Sequence, residues 1–156
     1  MKESELLNAS SFQHIPVLAN EIIQSILEMP DELLNNGLII DATVGGGGHS
    51  KLILKSHSKL RVVGLDQDPN AVSAARLSLK DFGSRATLIS KNFADYAPTE
   101  KAIAILADLG VSSPQLDTPS RGFSFNLNGP IDMRMNPKVG FSAAKLLQDT
   151  KEKELA

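Results

Sequence analysis

Four consecutive glycines, at 45–48, follow a short apolar run that closes on an acid (Leu38, Ile39, Ile40, Asp41) and lead through His49 and Ser50 into a helix-like stretch. A buried strand that turns at once into a helix needs backbone freedom and room for a ligand against the main chain, and glycine supplies both. The order of apolar run, glycine loop and helix therefore reads as the cofactor loop of an α/β fold. A second acid, Asp66, closes the next apolar run (Arg61, Val62, Val63, Gly64, Leu65). That is about where such a fold places the residue that holds a ribose.

The periodicity around these two features sets the architecture. Leu18, Ile22 and Ile26, with Ala19, Ile23 and Leu27, share one helical face, and Pro30 marks the end of that helix. Four short apolar segments, at 38–41, 61–66, 86–90 and 102–108, alternate with helical or linking stretches. Strands separated by crossover-length segments predict a parallel sheet with flanking helices, a Rossmann-like α/β fold. Asp68 and Pro69 suit the cap and first turn of the helix after the second strand, and Gly83 suits its end. From Gly110 the texture changes to a long loop, 110–140, punctuated by Pro114, Pro119, Gly122, Gly129, Pro130 and Pro137 but holding Phe123, Phe125, Met133 and Met135. Its length and its start beside Asp108 suggest a lid or substrate loop. A short helix is expected at 142–148 and the opening turn of another at 150–156. The last apolar segment would lie as an unpaired edge of a four-stranded sheet, so the sequence reads as the front part of a longer fold.

Composition excludes several function classes. The chain has 156 residues, 42% hydrophobic and 22% charged, as for one globular domain of soluble type. No apolar run approaches the roughly 18 residues of a membrane span, and the first residues lack the basic start and apolar stretch of a signal peptide, so a cytoplasmic protein without membrane partners is expected. There is no cysteine, and His14, His49 and His57 show no ligand spacing, so no metal site is expected. A formal net charge of −2 argues against binding nucleic acid by bulk electrostatics.

The glycine loop fits neither standard phosphate motif. Read as G-x-G-x-x-G, it places Ser50 or Lys51 at the third glycine, which disfavours a nicotinamide-dependent oxidoreductase, and no Gly-Lys-Ser/Thr follows for a P-loop. An acid followed by spaced glycines instead resembles the first motif of Rossmann-like methyltransferases, with Thr43 where glycine is more usual. On the loop alone, other nucleotide binders and a purely structural glycine turn remain open.

Longer stretches carry a more specific resemblance. His14-Ile-Pro-Val-Leu18, Asp41-Ala-Thr-Val-Gly-Gly-Gly-Gly-His-Ser50, Asp66-Gln-Asp-Pro69, Asn92-Phe-Ala-Asp95, Asp108-Leu-Gly-Val-Ser-Ser-Pro-Gln-Leu-Asp117, Arg121-Gly-Phe-Ser-Phe125 and Gly129-Pro-Ile-Asp-Met-Arg-Met135 occur in this order. Together they resemble the MraW/RsmH family, over about residues 14–156. The resemblance implies S-adenosyl-L-methionine as cofactor and the N4 amine of a decoding-centre cytidine in small-subunit (16S) ribosomal RNA as substrate, with the small-subunit particle as partner and no DNA partner. It implies cofactor contacts at Gly47, Gly48, His49, Asp66, Phe93, Asp108 and Gln115. Departures are small: Ala42 stands where glycine is common, and Ala107 where a larger aliphatic residue is common. Members of the family continue for about as long again, so residues 1–13 are expected as a loose N-terminus, 14–140 as the front of the methyltransferase domain and 141–156 as the start of a helical substrate domain.

Each site residue also has a plainer role. Asp41 suits a hydrogen-bonding post for the glycine turn better than a cofactor contact. Phe93 could stack on an adenine or fill core. Asp108, at a strand's carboxyl end, is the candidate catalytic acceptor of an amine proton. Arg121, Phe123, Phe125 and Arg134 are candidates for RNA phosphate contact and base stacking, although the two phenylalanines could equally tuck the loop onto the sheet. A truncated, non-catalytic cofactor-binding module stays open, as does self-association through the open sheet edge.

Overall fold

The computed structural model describes residues 16–155; the expected loose N-terminus and His14 lie outside them. Helix α1 (Ala19–Leu27) turns Ile22, Ile23 and Ile26 toward the interior, as its spacing predicts, but Leu18, just outside the helix at a positive φ, and Leu27 at its end are exposed, and the helix stops three residues before Pro30. Pro30 then opens α2 (Asp31–Leu34), whose two acids lie in the first turn where the helix dipole favours them. A single turn leaves no periodicity to read in the sequence. The first strand, β1 (Leu38–Asp41), is buried along its whole length. Such a strand can only be central, and it runs straight into the glycine loop and α3 (Gly48–Ser56).

Strand β2 (Arg61–Asp66) follows, then α4 (Pro69–Leu79). Asp68 caps this helix by accepting the Asn70 N–H at 3.0 Å, and Val72, Ala75 and Leu79 face the sheet. The helix continues as a tight 3₁₀ turn, in which Gly83 takes a positive φ of 56° and reverses the chain into β3 (Ala86–Ser90). Arg85 extends across the far end of α3 and donates to the carbonyls of Leu54, His57 and Leu60, closing the free carbonyl end of that helix.

The fourth strand, β4 (Ala104–Leu106), is shorter than the apolar segment 102–108 suggests. Its neighbours continue the pairing at both ends, with Ile103 N–H donating to Leu38 O and Ala42 N–H to Leu106 O, both at 2.8 Å. All ladders are parallel and the order is β3-β2-β1-β4. The chain therefore builds outward from β1 to β3, then returns to lay β4 on the other side of β1. In open α/β sheets the crevice beyond the carboxyl ends at such a reversal is where ligands bind. Among the described residues nothing pairs with the outer side of β4.

The core lies where α1, α3 and α4 meet the sheet: Ile26, Leu34, Ile39, Ile53, Leu54, Leu60, Val62 and Leu79 form one buried cluster. Beyond β4 the long loop contains a short helix, α5 (Ser113–Asp117), where the sequence suggested only irregular chain. Ser112 and Gln115 make a reciprocal capping box at its start. The expected terminal helices are present as α6 (Ala143–Asp149), capped by Ser142, and α7 (Glu152–Leu155). No helix among the described residues is long and apolar enough to cross a membrane.

Candidate functional site

At the end of β1, Asp41 is almost fully buried. Its carboxylate accepts the Ser50 hydroxyl at 2.6 Å and the Thr43 N–H at 3.3 Å. Burial pushes the Asp41 carboxyl above its ordinary range, against the opposing pull of those two hydrogen bonds. The acid thus pins the start of α3 to the strand, in the post-like role its position suggests. Between these anchors Gly47 holds a φ of +84° as the residue before α3, with Leu79 packed so close that a Cβ would meet its Cγ at 3.2 Å. At Gly46 a Cβ would meet nothing within 4 Å, so the loop is tight against α4 yet open beside Gly46.

Asp66 ties the loop from the next strand. One oxygen accepts the Gly45 N–H at 3.0 Å and the other the Asp68 N–H at 2.9 Å. A carboxylate offers about four acceptor positions, so two contacts leave capacity for hydroxyl donors. Phe93 lies on a single turn after β3 and is 48% exposed, which removes the core alternative.

Across the reversal point, Asp108 follows β4 and its N–H donates to the Thr43 hydroxyl at 2.8 Å. Thr43, standing where glycine is more usual, thereby joins the segments after β1 and β4. The Asp108 side chain is 54% exposed and its Oδ2 lies 3.8 Å from Nε2 of His49, whose side chain is only 10% exposed. That separation is too long for a hydrogen bond. His49 Nε2 is buried and has no hydrogen-bond partner among the described residues. An orphaned ring nitrogen beside an open carboxylate at a glycine loop is the kind of exception that marks a ligand site.

The long loop departs most from expectation. Arg121, expected at an RNA phosphate, is 9% exposed: it donates to Asp68 Oδ2 at 2.6 Å and to the carbonyls of Arg134 and Met135 at 2.9 and 3.0 Å. Its reach inward follows from Asp68, a carboxylate only 3% exposed that needs a cation. Burial pushes the Asp68 carboxyl up, but the Arg121 guanidinium, the Asn70 N–H and the Gln115 amide hold it below the ordinary range. Gln115, expected at the cofactor, has both ends of its amide engaged within the protein: Oε1 accepts Ser112 N–H, and Nε2 donates to Asp68 at 3.2 Å and to Met135 Sδ at 3.6 Å. Phe123 is buried beneath the Arg121 guanidinium, 5.8 Å from its ring centre, whereas Phe125 is fully exposed. The two phenylalanines therefore divide between tucking and solvent. Arg134 is partly exposed and forked onto Asp132, whose carboxyl it holds down at about 2 through side-chain and backbone hydrogen bonds. Sequence reasoning found Asp68 as a cap but missed it as the anchor of the loop, because nothing local signals a partner 53 residues away.

The MraW methylase family model matches residues 11–156. The chain belongs to the MraW methylase family. It is 59% identical over 156 residues to the ribosomal RNA small subunit methyltransferase H of Prochlorococcus marinus (strain NATL2A), covering all of this chain and 51% of that protein. It is 50% identical over 148 residues to the protein of the same description in Synechococcus sp. (strain WH7803), covering 94% of this chain and 48% of that one. The chain spans about half the length of these MraW-family relatives. Among solved structures, the pyocyanin biosynthetic protein PhzM is similar at 24% identity over 58% of this chain and 27% of its own, with a TM-score of 0.48. The fold assignment rests on the strand order and ladders of this chain.

Proposed function

We infer that this chain carries the cofactor-binding part of an S-adenosylmethionine-dependent methyltransferase acting on the N4 amine of a decoding-centre cytidine in small-subunit ribosomal RNA. The observation that carries the reading is convergence at one sheet end. The open glycine loop, the Asp66 carboxylate and the His49 nitrogen facing Asp108, which has no partner among the described residues, lie in segments that leave the carboxyl ends of β1, β2 and β4 around the reversal, and the exposed Phe93 follows the same end of β3. Family membership supports methyl transfer, the names of the relatives support a small-subunit ribosomal RNA, and the motif resemblance supports the cytidine amine.

The residues present fit the cofactor. The glycine loop offers main chain that a bulky group can approach, Asp66 has free acceptor positions for ribose hydroxyls, and Phe93 offers a ring for adenine. When bound, S-adenosylmethionine supplies a methyl group on a sulfonium. A cytidine amine is a weak nucleophile, its lone pair being drawn into the ring, so it gains from an acceptor for its proton as the nitrogen becomes tetrahedral. Asp108 is the exposed carboxylate that can take that role, held in place through Thr43. Residues 110–140 would cover the base and 141–156 would open the part that meets the RNA, with Phe125 the exposed stacking candidate. Arg134, whose fork with Asp132 uses Nε and Nη2, keeps Nη1 for a phosphate.

Calorimetry of the chain with S-adenosylmethionine, with NAD as control, tests the reading. Saturable binding of the methyl donor alone is expected, and binding of NAD in its place would overturn it. Asp108→Ala should lower methyl incorporation into small-subunit particles by about 100-fold or more, a loss that persists at saturating S-adenosylmethionine. A variant with wild-type turnover would remove Asp108 from catalysis.

A further inference from the structure

The loop at 110–140 reaches the sheet through polar contacts that converge on one carboxylate oxygen. Asp68 divides its two oxygens: Oδ1 caps α4 through Asn70, while Oδ2 receives both the Gln115 amide and the Arg121 guanidinium. Arg121 then donates to the Arg134 and Met135 carbonyls, and its own carbonyl accepts the Met133 N–H at 3.0 Å. Met133 is held there at a positive φ of 58°, a conformation such a side chain rarely adopts and one that persists only when its surroundings impose it. The two halves of the loop are thus fastened to each other and to the start of α4. Asp68 is also bonded through its N–H to Asp66, which holds Gly45. One continuous set of contacts runs from the glycine loop to Gln115 and the far side of the loop.

We propose that Asp68 and Arg121 are positioning residues of the methyl-transfer site: their buried ion pair holds the 110–140 loop at the carboxyl edge of the sheet and so sets cofactor affinity. This rests on the reading of the site given above. Neither residue needs to touch the cofactor. The pair acts by keeping the acceptor and amide groups around the cleft in one arrangement, which lowers the ordering that ligand binding would otherwise require.

Asparagine caps a helix as well as aspartate does, so Asp68→Asn can keep the Asn70 bond. Its other end then turns an NH₂ group toward two donors, Arg121 and Gln115, and the loop is released with α4 retained. Arg121→Met releases it from the opposite side. Combining the two leaves neither charge buried alone, and removing both partners of a buried pair costs less than stranding one of them. Hydrogen exchange of the ligand-free chain should show amides in 110–140 exchanging at least about 10-fold faster in all three variants, with β1 and β2 unchanged in the double variant. The double variant should melt above either single variant but bind S-adenosylmethionine about 10-fold more weakly than wild type or worse. Unchanged protection of the loop, or recovery of both melting temperature and affinity in the double variant, would overturn the proposal. If the wild-type chain itself fails to bind the methyl donor, the proposed function fails and the cofactor half of this inference with it; the exchange data then still decide whether the pair holds the loop.

Discussion

The sheet region, residues 38–90, and the loop at 110–140 are held by opposite means. In the first, Ile39, Ile53, Leu60, Val62 and Leu65 are removed from water and the backbone is paired in parallel ladders. In the second, the fastenings are an ion pair, carbonyl contacts and a forked Asp132–Arg134 contact, while Val111, Phe125, Leu127 and Ile131 face solvent. Burial of apolar surface is non-directional and tolerates small shifts, whereas hydrogen-bonded charge is directional and fails when one partner moves or titrates. The rigid half carries the glycine loop, and the polar half is expected to change its hold on the cleft without disturbing the core.

The largest effect should come from the apolar side. Ile39→Ala, at the centre of the sheet with no exposed surface, removes buried methyl groups and leaves a cavity costing about 2–5 kcal/mol. In a domain of this size that lowers the melting temperature by roughly 10 °C. Calorimetric unfolding should show the whole transition shifting together. A melting temperature unchanged by the substitution would mean that β1 is not part of the cooperative core and that apolar burial does not hold the sheet region.

Acid should separate the regions next. Asp68 and Asp132 have carboxyl values held below the ordinary 3.8, that of Asp132 at about 2. A lowered folded-state value stabilises above the ordinary range, and the contribution is lost as pH falls through the folded value. Asp41 is raised, so its contribution runs the other way, present below the ordinary value and fading as pH rises through the raised one. Acidification from pH 5 toward 2 should therefore loosen the loop while sparing the Asp41–Ser50 joint. Pepsin digestion read by mass spectrometry should give first cuts within 110–140, with the 38–90 region intact. Simultaneous cutting in both would show that the loop has no separate acid-sensitive hold.

The same division explains what the sequence revealed. Strands at 38–41, 61–66 and 86–90 were legible to the residue because parallel strands read as uninterrupted apolar runs bounded by turn residues, and the Asp68–Pro69 start of α4 because its cap is local. The last strand was read too long. At the sheet edge the apolar run outlasts the ladder, and nothing in composition marks where pairing stops. Asp41, Asp66 and Asp108 could be placed at strand ends, but the unpartnered state of His49 and the Thr43 tie to Asp108 depend on contacts between distant segments. Arg121 shows the limit most clearly. An arginine in a glycine- and proline-rich loop suggests a phosphate contact, and only the fold reveals that a buried acid 53 residues earlier takes it inward.

The smallest expected effect tests how far the loop is divided internally. Asp132 accepts Arg134 through the backbone N–H as well as the side chain, and its carbonyl accepts Ala143 N–H, leading into α6. Asp132→Asn retains an acceptor for the backbone N–H, as asparagine does in such local turns, and loses the charge together with the second acceptor oxygen of the fork. Both side chains are partly exposed, where ion pairs add little. The melting temperature should stay within about 2 °C of wild type, with a slight rise in protease cutting near 131–136 and no loss of the Asp68–Arg121 hold on Gln115. A fall approaching that of Ile39→Ala would mean that the solvent-side fork and the buried clamp act as one unit. The loop would then be a part of the core held by polar contacts, and its release would take the sheet with it.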